Sequence, residues 1–472
     1  MNAERALLDG KCTLFYNRIG TENAFYIDLL QKQMKKMKQL SLWKIKIYSF
    51  LTYIGILCSC IMIGVLLLLA VYMLPVKGMK ANVARSSEIF NYEGIYPQIV
   101  SGYKYMQLDN YTDSIMLGAA VYDGTEGAID KAANNYHPDC EQLSPELALT
   151  NYANEVSAYE YFRVPYGRYW HGYLVPLKLL LLFFDYADIR VLNFFVQSLL
   201  LFMIIRQLYR IRMEQYAPAF LIMIFVLNPL TAALSLQFSS VYYIVLLSTI
   251  WFLHLVECRK VTESKINHLF FAVGILTAYF DLLTYPLVPF GILIVLYLVF
   301  PGEKTAGIKP LLQKGVLWGA GYVGMWSGKW LAGSILTRHN LFADALNQVF
   351  LRTSAGFYDG SDGYSRLDAL WKNISVLLKW PFLIAFLSAG AVFLICLLRG
   401  HTLPITRQNA AIIFFLTATA LLPVGWILIT AGHAYGHYWF TYKELAVSCF
   451  ALASLGIYLI NPGRDEKHDL RE

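Results

Sequence analysis

The chain has 472 residues, 57% of them hydrophobic and only 15% charged, with a mean hydropathy of +0.47 and a formal net charge of +7. A soluble protein of this length exposes far more charge, so the composition excludes a soluble globular fold and points to an all-α, polytopic helical membrane protein. The positive balance does not point to nucleic acid, because the basic residues sit in short segments between apolar runs.

In chain order, residues 1–46 carry 9 Lys/Arg and precede the first apolar run, Ile47–Met73. That lead is too long for the n-region of a cleaved signal peptide, so the run reads as a retained signal anchor with a basic cytoplasmic segment before it. Apolar runs then predict about ten spans, near 47–75, 190–206, 215–229, 240–256, 266–281, 285–300, 316–336, 374–398, 410–430 and 443–460. With the N-terminus inside, the cytoplasmic segments hold 23 of the 39 basic residues, whereas the short outer turns 230–239 and 282–284 hold none. This follows the positive-inside rule and places both termini, including the tail 461–472, in the cytoplasm of a multi-pass cell-membrane protein. The membrane domain is expected over 47–460, with membrane lipids as its first partners. The outer material is uneven: a first loop at 77–189, a second at 337–373 and a turn at 431–442. Tyr173–Phe184 is apolar but short and interrupted by Pro176 and Lys178, so it reads as a helix in the outer leaflet rather than a span.

The candidate chemistry lies in those outer segments. Asp109 and Asp113, in "MQLDNYTDSIML", stand one helical turn apart. Two carboxylates on one face repel, which raises one of them toward a base working near neutrality; the alternative is plain helix capping. "RVPYGRYWHGYLVPLK" interleaves Arg163, Arg168 and His171 with aromatic rings, which suits either an interfacial anchor or a lipid-phosphate site. Asp281 in "YFDLLTYPLVP" breaks two spans at the outer rim, where it either binds a ligand or pairs with an outer-loop Arg. Lys329 in "GMWSGKWLAG" either reaches the headgroups or meets a phosphate. Arg352 belongs to the second outer loop, which also carries "GFYDGSDGY" with Asp359 and Asp362. In "GHAYGHYWFTYK", His433 and His437 stand at i and i+4, with Tyr442 among their companions. No Glu follows the first His, so a hydrogen-bonding cluster is favoured over a metal site. The seven cysteines show no metal-ligand spacing, and no GxxxxGK[ST] loop is present, so no cofactor is expected; divalent metal dependence stays open.

These features together resemble the GT-C superfamily, the polytopic glycosyltransferases that take sugars from polyprenyl-phosphate carriers. Within it, "YGRYWHGY…IRVLN", "FDLLTYP" and "HAYGHYWFTYK" are similar to stretches of bacterial cell-envelope proteins. The resemblance implies transfer of a sugar from a polyprenyl-phosphate-linked donor to a glycan or lipid acceptor on the outer face. It further implies Asp109 or Asp113 as the base, and Arg163, Arg168, His171 or Lys329 as holders of the lipid phosphate. Asp281, Arg352, His433, His437 and Tyr442 complete the expected substrate-binding set. The main alternative is a transporter or flippase for lipid-linked saccharides, which expects charges deep in several spans.

Overall fold

A computed structural model describes residues 47–300, 307–358, 361–399 and 406–460. The expected basic lead 1–46, the tail 461–472 and Asp359 lie outside the described residues. The chain divides into two units, Met1–Ser59 and Cys60–Glu472, with the boundary inside the first apolar helix.

Helix α1 spans Ile47–Tyr72. A loop-side group follows: α2 (Val76–Arg85), α3 (Ser87–Glu93), α4 (Asn110–Val121), α5 (Ala128–Asn134), α6 (Pro145–Ala153) and α7 (Leu174–Leu181). Then come α8 (Tyr186–Arg210), α9 (Ala217–Leu227), α10 (Pro229–Leu234), α11 (Leu236–Glu257), α12 (Glu263–Phe280), α13 (Leu287–Val299) and α14 (Ile308–Thr337). The rest are α15 (Leu341–Thr353), α16 (Arg366–Leu377), α17 (Trp380–Leu398), α18 (Arg407–Ile429), α19 (Ala431–Gly436), α20 (Tyr438–Thr441) and α21 (Ala446–Ile460). Among the described residues, strands are confined to two short antiparallel pairs. β1 (His137–Asp139) lies against β2 (Phe162–Val164) with His137 opposite Val164, and β3 (Phe357–Tyr358) against β4 (Ser361–Asp362).

The fold is all-α. A helix stands in each of the ten ranges expected from the sequence, and among the described residues six helices are long and apolar enough to cross a membrane: Ile47–Tyr72, Tyr186–Arg210, Leu236–Glu257, Trp380–Leu398, Asn409–Ile429 and Tyr438–Ile460. Helix α9, with the turn before it, and α13 are apolar but shorter. Helix α7 is 8 residues long; at about 1.5 Å per residue it reaches less than half of a hydrocarbon core.

Burial sorts these helices by position. All of α13 is buried, as a helix apolar on every face must be if it is to sit at a bundle centre. It packs against α11, α12, α18 and α21. Helix α17, equally apolar, leaves Ile384, Leu387, Val392 and Leu398 exposed, the pattern of a helix at a lipid-facing edge. Helices α12 and α14 approach through reciprocal glycines: a Cβ on Gly274 would stand 2.2 Å from the Trp318 carbonyl, and one on Gly321 2.4 Å from that of Phe271. Small residues at such crossings let backbones close where lipid supplies no hydrophobic drive between helices.

Candidate functional site

The two aspartates that open the first loop do different work. Asp109 is the N-cap of α4, accepting from the Thr112 amide at 3.0 Å and its hydroxyl at 3.1 Å. Asp113, one turn on, points away from that cap into the start of α11. Its carboxylate accepts from the Leu236 amide (2.8 Å), the Gln237 amide (3.0 Å), the Ser235 hydroxyl (3.0 Å) and the Tyr186 hydroxyl (2.6 Å). An anion at a helix N-terminus meets unsatisfied N–H groups and the positive end of the dipole, so this socket ties α4 to α8 and α11. Arg190 extends the tie: its guanidinium grips Glu93 at 2.7 and 3.0 Å, reaches the Asn110 carbonyl oxygen at 3.1 Å, and lies over the Tyr186 ring. Burial raises the Asp113 carboxyl above the usual carboxylate range, against the pull of its donors and the Arg190 charge.

Buried lysines do the complementary job at helix C-termini. Lys178 donates to the Ala120 carbonyl at the end of α4 (2.6 Å). Lys329 donates to Ala133 at 2.9 Å and Ala132 at 3.4 Å, the last turn of α5. Lys329 therefore neither extends to a headgroup nor presents a free ammonium: it is 3% exposed and its charge is spent on carbonyls. His171 is also engaged on both ring nitrogens. Nε2 donates to the Tyr166 carbonyl (2.7 Å), so Nδ1 is the acceptor for the Tyr173 hydroxyl (2.8 Å). Burial, with the charges of Lys329 and Arg168, holds its imidazole well below the ordinary range and neutral. Its contribution is to fix Tyr166.

Tyr166 is where the remaining candidates gather. Burial raises its phenol above the ordinary value, with the Arg168 and Arg352 charges opposing the rise, and the Arg168 guanidinium sits 4.6 Å above its ring. Arg168 reaches Asp344 on α15 at 3.4 Å, so the segments 77–189 and 337–373 meet here. The 431–442 turn joins through Arg352, whose Nη1 donates to His433 Nδ1 at 2.7 Å; His433 Nε2 then donates to the Leu283 carbonyl at 2.8 Å. That bonding fixes the tautomer, and burial with the nearby Arg352 charge keeps His433 well below its ordinary value. Leu283 holds a left-handed backbone, φ 66°, which a bulky side chain rarely adopts. Gly432 makes the approach possible, because a Cβ there would stand 2.4 Å from the Leu351 carbonyl. From His433 a run of rings leads back to the first loop: His437 at 4.8 Å, Trp439 at 5.3 Å from His437, Tyr96 at 5.5 Å from Trp439, and Tyr111 at 6.2 Å from Tyr96. The Nε atoms of Arg168 and Arg352 are buried without a partner among the described residues.

Other candidates fall outside this gathering. Arg163 pairs with Glu126, lies 5.1 Å over the Tyr136 ring and is half exposed. Asp281 forms no ion pair among the described residues, correcting the expected pairing with an outer-loop Arg. It instead closes its own turn by accepting from the Thr284 amide at 2.9 and 3.1 Å, and burial pushes its carboxyl up to about 6. Tyr442 is fully buried against Phe382. Among the described residues no group of three or more His, Cys, Asp or Glu is arranged to hold a metal ion. Asp109, by contrast, stands two residues before Tyr111, the ring that ends the run from His433; it is buried, and burial pushes its carboxyl up to about 7, with the Asp113 charge adding to the rise and the Thr112 bonds opposing it.

An apolar groove of about 470 Å³ runs along α4, α7, α8, α11 and α12, from Met116 and Tyr173 to Trp251. Sequence reasoning did not single out His137, Trp439 or Tyr96, which carry no motif spacing, and it missed the Arg190 socket although "IRVLN" was in view. Compared with known proteins, the chain matches no family model, no curated protein and no solved structure.

Proposed function

We propose that the chain is a membrane-embedded glycosyltransferase of GT-C type, with about ten spans and its Tyr166 gathering on the outer face of the cell membrane. The donor is a sugar on a polyprenyl phosphate and the acceptor a hydroxyl of an envelope glycan or glycolipid. The observation that carries the reading is the meeting of residues 77–189, 337–373 and 431–442 at Arg168–Asp344 and Arg352–His433, with the Arg168 guanidinium 4.6 Å over the Tyr166 ring. Preorganised cations at the place where a leaving phosphate gathers charge lower the barrier more than any other single arrangement. The apolar groove along α4, α7, α8, α11 and α12 is suited to the lipid tail. In the transfer, the acceptor oxygen bonds to the anomeric carbon, the carbon–oxygen bond to phosphate breaks with its electrons passing to the phosphate, and the acceptor proton passes to Asp109. A carboxyl near 7 suits that acceptance.

Purified protein assayed for transfer from polyprenyl-linked sugars, wild type against Asp109→Asn and Arg352→Gln, tests this. Loss of transfer in both folded variants is expected; wild-type turnover in Asp109→Asn removes the base. One observation favours the flippase reading. Lys443 and Glu444 are adjacent and fully buried yet not paired with each other: the Lys443 side chain bonds Thr231 at 3.0 Å, and one Glu444 oxygen has no partner among the described residues. Sugar-lipid crossing vesicles without any turnover is the result that selects it.

A further inference from the structure

Behind Tyr166 lies a second cavity, about 240 Å³, walled by α4 and the β1–β2 pair. Its lining mixes apolar residues, Ile115, Pro138 and Val164 among them, with polar groups of both signs. Arg168 commits only Nη1 to Asp344, leaving Nη2 unclaimed among the described residues and not sealed from solvent. Asp139 uses Oδ1 to accept from the Cys140 amide at 2.8 Å, leaving Oδ2 open. The Tyr166 hydroxyl takes no hydrogen bond among the described residues and is likewise not sealed. His137 completes the rim; burial, reinforced by the Arg168 charge, pushes it down to about 4, so it adds no second cation.

A lining that combines apolar side chains with an open donor, an open acceptor and a hydroxyl that can be either is complementary to a pyranose ring, which has a C–H face and hydroxyls that donate and accept. A phosphate fits worse, because Asp139 opposes it with only one guanidinium in compensation. A fatty chain fits worse still, because it would strand all three polar groups. We infer that this cavity is a saccharide subsite holding one uncharged pyranose unit, with Arg168 and Tyr166 shared between it and the cationic gathering. The inference rests on the glycosyltransferase reading for its role but not for its chemistry.

Saturation-transfer NMR on the full chain in detergent, with a panel of methyl pyranosides and with inorganic phosphate as a competitor, tests it. At least one pyranoside is expected to show transfer that phosphate does not displace. Val164→Trp, which fills the cavity, should abolish that signal, and Asp139→Asn, which keeps the shape, should weaken binding about tenfold. A short-chain isoprenyl phosphate glycoside separates the sources: binding tighter than the methyl pyranoside assigns the donor sugar, and equal binding assigns the acceptor. No signal from any pyranoside, displacement by phosphate, or unchanged binding in folded Val164→Trp each overturns the subsite. Pyranoside binding lost in Val164→Trp, without any transfer by the wild type, keeps the subsite and sinks the transferase. Transfer unaffected by Val164→Trp does the reverse.

Discussion

The docking face around Asp113 and the gathering around Tyr166 are built from the same residue types and hold them differently. At the docking face the charges are gripped by close partners: Asp113 by four donors, Arg190 by both oxygens of Glu93 and by Asn110, Lys178 and Lys329 by the ends of helices. Around Tyr166 the arginines are held more loosely: Arg168 reaches Asp344 at 3.4 Å and Arg352 donates to a neutral histidine, so neither meets a carboxylate as closely as Arg190 meets Glu93. A buried ion with a close, complete set of partners is structure, because removing it strands them. What separates the two regions is how closely a counter-charge holds each ion rather than residue type.

The sharpest way to break this comparison is Asp113→Ala. It strands two amides and two hydroxyls at the start of α11, and with an expected loss of about 3–5 kcal/mol the protein should fail to accumulate or melt far earlier in detergent. A melting temperature within a degree or two of wild type would show the socket to be dispensable. Arg352→Gln should do the opposite, reducing glycosyl transfer by about a hundredfold while leaving melting nearly unchanged. A parallel fall in melting and transfer would make Arg352 another structural tie.

Asp109 lies between the two regimes, and pH distinguishes them. Its carboxyl ionises near 3.8 in the unfolded chain and at about 7 in the fold. Folding stability is therefore lost as pH rises from about 4 to about 7, by roughly 4 kcal/mol in full, and changes no further above that. Asparagine caps a helix equally well and does not ionise. The melting temperature of Asp109→Asn should match wild type near pH 4, pull ahead as pH rises and hold a constant lead above pH 7; a lead independent of pH contradicts the raised carboxyl. Transfer by the wild type should rise with pH to a plateau above about 7, as the base loses its proton. The smallest effect belongs to Arg163→Gln, whose exposed pair with Glu126 lies outside the gathering. Almost no change in melting and less than about a twofold change in transfer are expected, and a large loss of transfer would return Arg163 to the site.

Much of this was legible in the chain. Apolar run length gave a helix in each expected range, because in lipid a segment must satisfy its backbone internally and so must be helical. The short, interrupted run at 173–184 became the eight-residue α7. The three outer segments flagged for chemistry do come together, at Arg168–Asp344 and Arg352–His433. Which of their charges were spoken for was not legible. Asp109 and Asp113 are indistinguishable by spacing, and Lys329 and Arg168 both sit among aromatic residues. His137 gave no signal at all, being a lone histidine on a three-residue strand whose partner lies over twenty residues on.

By itself the sequence determined that the chain is all-α, apolar enough to cross a membrane, and polar mainly between its helices, since hydropathy and helical period are local properties. Only the tertiary structure decided that Asp113 and Lys329 are bound to the ends of other helices while Arg168 and Arg352 join three distant segments through Asp344 and His433. A hydrogen bond to a helix terminus more than a hundred residues away leaves no trace in the spacing of either partner.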